Sequence, residues 1–457
     1  MSCIPETLCQ SDEQIQAYLN KLQEAPTLVM MIMAVWGLIR RVAVRLLEAE
    51  LSYRAHQPQC WPCCAKCGHI LHSKGFKKRQ LRTLFGTIRW QRRVGYCPQG
   101  CRGSRRAPLD EHLGLRASQR TSDELKRLGC ALVVFVPFET AMLLLRQLTG
   151  ITLSADTLWK WTQEVGGQMM DQINEELQQL KQGAFPEQEA VEAGLEQSPL
   201  IIGADGVVVP FRPQPNTSKG KTQWREVKVG ILARLKHGLT KTGHKTSCLA
   251  QRRLVAVLGR IDQFKPYLKL EAFRQGVLQC RQVIWLSDGG RGFWRLFRQL
   301  LKPLGVTGIL DFYHGAQNIS KAAKHWLDGR TRQCRRWFER LRHQLRHGAE
   351  QEVISELSRL VDSKQLPEAA QKTMENLQLY LTTHQEHIQY EQFKQMGFPI
   401  GSGLVESACK WLVQQRFKGV GMRWSEAGFN CLLHMRLAWV NQRFDSFFPV
   451  MALPSPN

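Results

Sequence analysis

A carboxylate stands in the middle of an apolar run, Leu200 Ile201 Ile202 Gly203 Ala204 Asp205 Gly206 Val207 Val208 Val209. The run reads as a strand, and a charged group on a buried strand is costly unless something such as a metal ion partners it. Two later segments repeat the theme. Val283 Ile284 Trp285 Leu286 Ser287 Asp288 Gly289 puts an Asp at the C-terminal end of a second hydrophobic strand, and Gly401 Ser402 Gly403 Leu404 Val405 Glu406 opens a helix with a Glu in its first turn. Three acids on two strands and a helix end are the ingredients of a two-metal phosphodiesterase site. One carboxylate bridges two ions about 4 Å apart and each of the others completes one, as in-line phosphoryl displacement requires. Carboxylates suit Mg²⁺ or Mn²⁺ because hard cations prefer oxygen donors.

The partner is expected to be a polyanion. A net charge of +24 with a pI near 9.7 points to nucleic acid more than to a small neutral substrate. At 457 residues the chain exceeds one hydrophobic core, so roughly two to four domains are expected. Its 14 cysteines are scattered rather than dense, and no charged segment followed by an apolar stretch and a cleavage site opens it. The expected setting is a reducing cytoplasm, in association with the nucleoid. The apolar run Leu28 to Ile39 stops at Arg40 and Arg41 and falls short of the roughly 20 residues a membrane span needs. It reads as a buried amphipathic helix continuing through Val42, Val44, Leu46 and Leu47, with pairing to another subunit as the alternative, and no membrane partner is expected.

Pattern changes divide the chain. Residues 1–55 read as helical with a break at Pro26, and residues 56–110 are rich in Cys, Gly and short basic strands. Residues 111–197 return to helix. Within them a helix after Pro137, a turn at Thr149 Gly150, and a helix capped by Ser154 carrying Leu158, Trp161 and Val165 make a helix-turn-helix-like unit, whose second helix has one basic residue, Lys160. Residues 198–314 give the order β-β-β-α-β-α-β, with Lys236 to Lys245 as a loop between the second and third strands. Residues 315–395 are helical, with apolar spacing at Trp337, Leu341, Leu345 and at Val353, Leu357, Leu360. Residues 396–457 carry Glu406 and end in a frayed Pro454 to Asn457.

Cys64 and Cys67, with Cys97 and Cys101, form two knuckles about thirty residues apart, suited to a closed tetrahedral structural Zn²⁺. The second knuckle has three intervening residues, and Cys60 and Cys63 are possible substitutes in the first. Around them lie Lys74, Lys77, Lys78, Arg79, Arg82, Arg89, Arg92, Arg93, Arg102, Arg105 and Arg106 without an intervening acid, which reads as a phosphate-contacting surface. Trp90 and Tyr96 can pack or stack. A second basic surface is expected from Arg332, Arg335, Arg336, Arg340, Arg342 and Arg346, and a third from Arg416, Lys418 and Arg423. Lys410, one turn beyond Glu406, can pair with it or reach phosphate.

The segments Gly203 Ala204 Asp205 Gly206, Ser287 Asp288 Gly289, Leu310 Asp311 Phe312 Tyr313 His314 and Pro399 Ile400 Gly401 Ser402 Gly403 Leu404 Val405 Glu406 Ser407 Ala408, continuing through Arg416 Phe417 Lys418 Gly419 Val420 Gly421 Met422 Arg423 Trp424, resemble the acid-triad (DDE) transposases of bacterial insertion sequences, the Kra-type insertion-sequence family most of all. The likeness spans about residues 60 to 450, and the last motif is the most specific. It implies an α/β, ribonuclease H-like catalytic core, a mixed five-stranded sheet interrupted by an all-helical insertion and preceded by a zinc ribbon and a helical DNA-binding region. It further implies cleavage and transfer of strands at element ends without a covalent protein–DNA intermediate. The partners would be double-stranded DNA, as terminal inverted repeats and target, and further copies of the chain in a homodimer or larger assembly.

Asp205, Asp288 and Glu406 are the expected catalytic, metal-holding acids. Asp311 also ends a hydrophobic strand and stays an alternative for the second acid, otherwise orienting His314, which would contact the scissile phosphate or position water. Trp326 is a candidate for holding a flipped base. A metal-dependent nuclease or resolvase on the same sheet is the competing function. A DNA-binding protein without catalysis and an RNA-processing module fit the three acids less well.

Overall fold

The computed structural model describes residues 12–213, 221–239, 245–363 and 365–448. The chain divides into two compact units, Met1–Thr162 with Asp445–Asn457, and Gln163–Phe444.

The first unit begins with α1 (Glu13–Gln23), capped by the Asp12 carboxylate, and the long α2 (Leu28–His56). Asp12 also receives Arg41 of α2, tying the two helices into a hairpin across Pro26. Gly37 lets the helices approach until the Tyr18 ring lies on its backbone. The expectation of a buried helix is corrected here. Leu28, Val29, Met30, Ile32, Met33 and Ile39 are exposed while Ala34 is buried, because α1 covers only one side of a stretch that is apolar all round; Val44, further along, packs instead with Leu81, Ile88 and Trp90 of the ribbon that follows.

A two-stranded antiparallel ribbon follows, β1 (His72–Arg82) and β2 (Thr87–Tyr96), bulged at Gly75. The short α3 (Pro108–His112) carries Asp110 beneath it. Helices α4 (Asp123–Phe135), α5 (Phe138–Thr149) and the first turns of α6 (Ala155–Lys181) complete the helical region, and α6 from Gln163 onward belongs to the second unit. Gly150, at φ 67°, ends α5 in the left-handed conformation, and the Ser154 hydroxyl accepts from Thr157 N–H at the start of α6. Leu158 and Trp161 close on Gly129 of α4, where a β-carbon would meet both at 2.9 Å. Lys160 pairs with Asp156 at 2.8 Å.

The second unit is built on a five-stranded mixed sheet. Its strands are β3 (Leu200–Phe211), β4 (Gln223–Leu239), β5 (Lys245–Leu258), β6 (Val283–Ser287) and β7 (Thr307–Leu310), in the order β5-β4-β3-β6-β7. β3 to β5 pair antiparallel, while β3–β6 and β6–β7 are parallel. The strand carrying Asp205 is therefore the neighbour of the strand preceding Asp288, as expected from their order. β3 and β6 are buried at nearly every position, as central strands covered on both faces must be. The expected loop from Lys236 is corrected: residues 236–239 continue β4 and pair with residues 245–248. The rest of that loop, 240–244, and the expected frayed end, Pro454 to Asn457, lie outside the described residues.

Helices α7 (Ile261–Arg274) and α8 (Arg291–Leu296) flank the sheet. The helical stretch runs through α9 (Phe312–Trp326), α10 (Arg332–Arg346), α11 (Glu350–Asp362), α12 (Glu368–Thr383) and α13 (Tyr390–Gln395). It shares one core with the sheet: Trp337, Leu341, Leu345, Val353 and Leu357 are buried, with Leu360 packed against them. The last helices are α14 (Gly403–Ala408), which passes into a π-helical turn (Cys409–Gln414), and α15 (Glu426–Val440).

Candidate active site and zinc cluster

Ala204 on β3 is in register with Ser287 on β6. One residue further, Asp205 and Asp288 emerge at the same level of two parallel strands, whose spacing is about 4.8 Å. Glu406 reaches this level because α14 lies directly on β3 at Gly203. A β-carbon there would collide with Val405 and would stand 3.3 Å from Leu404 Cδ1. Burial raises the Asp205 carboxyl above its ordinary range, opposed by the N–H of Gly206 donated to Oδ1 at 2.6 Å, and the charges of Asp288 and Glu406 raise it further. Burial likewise pushes the Cys409 thiol beneath them up to about 12, with help from Asp205 and Glu406.

The Asp288 turn is locked from two sides. Gly290 N–H donates to Asp288 Oδ1 at 3.0 Å, and the Trp294 indole donates to the Asp288 carbonyl at 2.6 Å. Gly289 has no side chain because the Tyr380 ring of α12 lies against it.

Asp311 occupies a different environment. It caps α9, accepting from Tyr313 N–H at 2.6 Å and His314 N–H at 3.1 Å through Oδ1, and its Oδ2 receives both the N–H of Ser402, at 2.7 Å, and the Ser402 hydroxyl. It is 1 % exposed, so four donors consume both oxygens and leave little for an ion. Burial alone would raise its carboxyl, yet His314 and Ser402 hold it at about 2. His314 Nδ1 stands 3.3 Å from Asp311 Oδ2, a charge contact more than an aligned hydrogen bond. Asp311 raises the imidazole above its ordinary range against the effect of burial, and Asp288 and Glu406 add to it.

Sequence reasoning quoted Ser402 without giving it a task and passed over Trp294 and Tyr380. The first had a signal, a hydroxyl between two glycines before the acidic helix. Nothing local marks Tyr380, which reaches Gly289 only through the folding of the insertion.

Several basic residues are corrected. Arg416 is 2 % exposed, with its guanidinium 5.4 Å from the Trp424 ring, so it belongs to the interior rather than to a DNA-facing surface. On α10, Arg335 pairs with Glu339 and Arg340 with Glu356, while Arg332 and Arg336 are exposed. Trp326 packs edge-on to Trp337 at 5.4 Å, within the core rather than beside the acids.

In the first unit the four expected thiols converge. The sulphur atoms of Cys64, Cys67, Cys97 and Cys101 all lie within 4.8 Å of one another, whereas Cys60 and Cys63 are exposed and outside the cluster. The N–H groups of Lys66 and Cys67 draw the Cys64 thiol down to about 7. The neighbouring Cys67 and Cys97 sulphurs push Cys101 up to about 12. Four sulphurs that cannot all ionise together, on a stretch with a small core, fit a divalent soft-ligand cation, and the donor set suits zinc. Among the described residues this is the one group of three or more such ligands drawn tightly enough to hold an ion. Asp205, Asp288 and Glu406 share a neighbourhood without closing to that degree.

The ribbon's basic surface is smaller than its sequence suggests. Arg79 and Arg92 turn inward to Asp110, at 3.2 and 3.1 Å, and all three are buried. Trp90 is buried with them. Lys74, Lys77, Lys78, Arg82, Arg89, Arg93, Arg102 and Arg105 remain exposed.

No family model matches the chain. A Streptococcus gallolyticus protein described as "UPF0236 protein in vanSb 3'region" is 26% identical over 382 residues, covering 81% of this chain and 75% of that protein. Among solved structures, the Drosophila P element transposase strand transfer complex aligns over 74% of this chain and 82% of its own, at 10% identity and a TM-score of 0.24, a level that carries no conclusion about fold. No helix of the described residues is long and apolar enough to cross a membrane.

Proposed function

We propose that this protein is a DNA transposase that cuts and joins strands at the ends of its own element, using Asp205, Asp288 and Glu406 as the metal-holding acids. The observation that carries the reading is the meeting of these three carboxylates from β3, β6 and α14 at one end of the parallel strands. The five-stranded mixed sheet, with the Asp205 strand next to the strand before Asp288, supports a ribonuclease H-like reading of the core, and the motif from Pro399 to Trp424 supports the family. Burial first, and then the charges of Asp288 and Glu406, disfavour an ionised Asp205, a strain that a divalent cation relieves, and the all-oxygen donor set fits Mg²⁺ or Mn²⁺. When bound, that ion supplies activation of the attacking oxygen and stabilisation of the leaving one.

The remaining residues orient this set. Gly203 seats the Glu406 helix, and Trp294 and Tyr380 hold the Asp288 turn. Asp311 is a positioning residue: it fixes the base of α14 through Ser402 and holds the His314 ring on the side of the acids. The exposed cations of the ribbon and of α10 bind the DNA backbone, and two chains act together on two ends.

The test is a reaction of purified protein with the ends of its own element and Mg²⁺ or Mn²⁺, reading cleavage positions and strand-transfer products. Products joined to a target support transposition. Cutting without joining, at branched DNA of any sequence, would instead make the protein a metal-dependent nuclease or resolvase.

A further inference from the structure

We propose that the cleft beside Glu406 is a seat for one unpaired nucleobase of the DNA strand, stacked on Tyr313. This rests on the reading of the acids as a DNA-cutting site and adds to it a substrate contact. The cleft holds about 560 Å³, within the roughly 300–1,000 Å³ usual for small-ligand sites. Leu235, Leu249, Pro399 and Leu404 give it apolar wall, and the carboxylates of Asp311 and Glu406 stand at its edge.

Tyr313 is built as a platform. Its N–H is held by the Asp311 carboxylate, and its ring lies across the backbone of Gly401, where a β-carbon would meet Cε2 at 2.6 Å. The edge of Phe312 packs on it at a centroid distance of 5.5 Å. Yet the residue is 55 % exposed. A ring fixed on its backbone side and open on the other, in a cleft with apolar walls and carboxylates at its edge, matches the face of a base. Bare phosphate is a poor occupant, since Glu406 repels it and no cation lines the walls. A paired base cannot enter, because both its faces are already stacked in the duplex. The base must therefore be unpaired, next to the phosphate the acids address.

The experiment uses the full chain with Ca²⁺ replacing Mg²⁺, so that binding is read without turnover. The DNA is a forked duplex carrying 2-aminopurine as its first unpaired base, with a blunt duplex as reference. Stacking on Tyr313 should quench the fluorophore. Tyr313→Phe should keep the quench, while Tyr313→Ala and Tyr313→Leu should lose it and bind the fork about 5- to 150-fold more weakly, with blunt-duplex affinity unchanged. Tyr313→Leu retains apolar bulk, and its unchanged blunt-duplex binding reports an intact fold.

Wild-type protein that binds the fork without quenching would overturn the seat while leaving the acid site in place. Equal quench in Tyr313→Leu would overturn the platform. Failure of the wild type to bind any DNA would overturn both readings, and loss of quench in Tyr313→Phe would assign the contact to the hydroxyl instead of the ring face.

Discussion

Gly203 and Val405 touch where no side chain larger than hydrogen fits: a β-carbon on Gly203 would overlap Val405 Cγ2 and stand 3.2 Å from the Leu286 carbonyl. This contact fixes the height of Glu406 above Asp205. Gly203→Ala should cost about 1–3 kcal/mol in denaturant unfolding, and Gly203→Val more, since the neighbours include backbone that cannot give. Strand cleavage should fall much further than stability, because displacing α14 moves one acid of three. A Gly203→Val protein with wild-type cleavage would show that Glu406 has no part in the chemistry.

Asp205→Asn, Asp288→Asn and Glu406→Gln should each abolish cleavage at constant DNA affinity, measured by gel shift beside product analysis. Asp311→Asn should behave differently. It removes the charge that holds His314 and two Ser402 donors, so unfolding should be easier and residual cleavage should survive in proportion to folded protein.

The pH dependence separates the same residues. The Asp311 carboxyl lies at about 2 against an ordinary 3.8, so its contribution of roughly 2 kcal/mol is present above pH 3.8 and fades as pH falls through about 2. His314 is raised above 6.5, so its contribution is complete below that value and is lost as pH rises through the folded pKa. Wild-type stability should therefore decline as pH rises above about 6.5 and through the raised folded value of His314, and Asp311→Asn should flatten that decline. Chemical-shift titration of the His314 ring checks the direction independently.

One zinc per chain should be found by metal analysis, and chelation or Cys64→Ser with Cys97→Ser should release it and unfold the ribbon. A metal-free protein whose ribbon resists proteolysis as before would refute the site.

Asp110 and Arg93 offer contrasting outcomes on the same ribbon. Asp110→Asn strands the buried Arg79 and Arg92 guanidinium groups and should cost about 3–5 kcal/mol. Arg93→Ala should leave stability nearly unchanged and lower the slope of log affinity against log salt by about 1.

The sheet was readable from sequence because β3 and β6 are apolar along their length and their acids punctuate them. The Cys64, Cys67, Cys97 and Cys101 spacing was readable for a related reason: four ligands in two tight turns are a local signal. Burial of basic residues was not. Arg79 and Arg92 sit in an unbroken run of cations, and only the folding of Asp110 beneath the ribbon turns two of them inward. Arg416 shows the same limit, since its place over Trp424 is set by packing. For Leu28 to Ile39 the pattern does not decide burial, because a segment apolar on every side does not say which side is covered.

The bond from Ser402 to Asp311 joins residues 91 positions apart, and beside it the Phe312 N–H reaches the Ile400 carbonyl at 2.8 Å. The insertion thus leaves the sheet and returns to it at a single stem. A stretch pinned at its own neck enters and leaves the sheet at one point, so its ends stay fixed relative to β7 and α14. The helices between residues 312 and 395 are thereby tied to the sheet both through this stem and through Tyr380 and the side chains that fill the shared core.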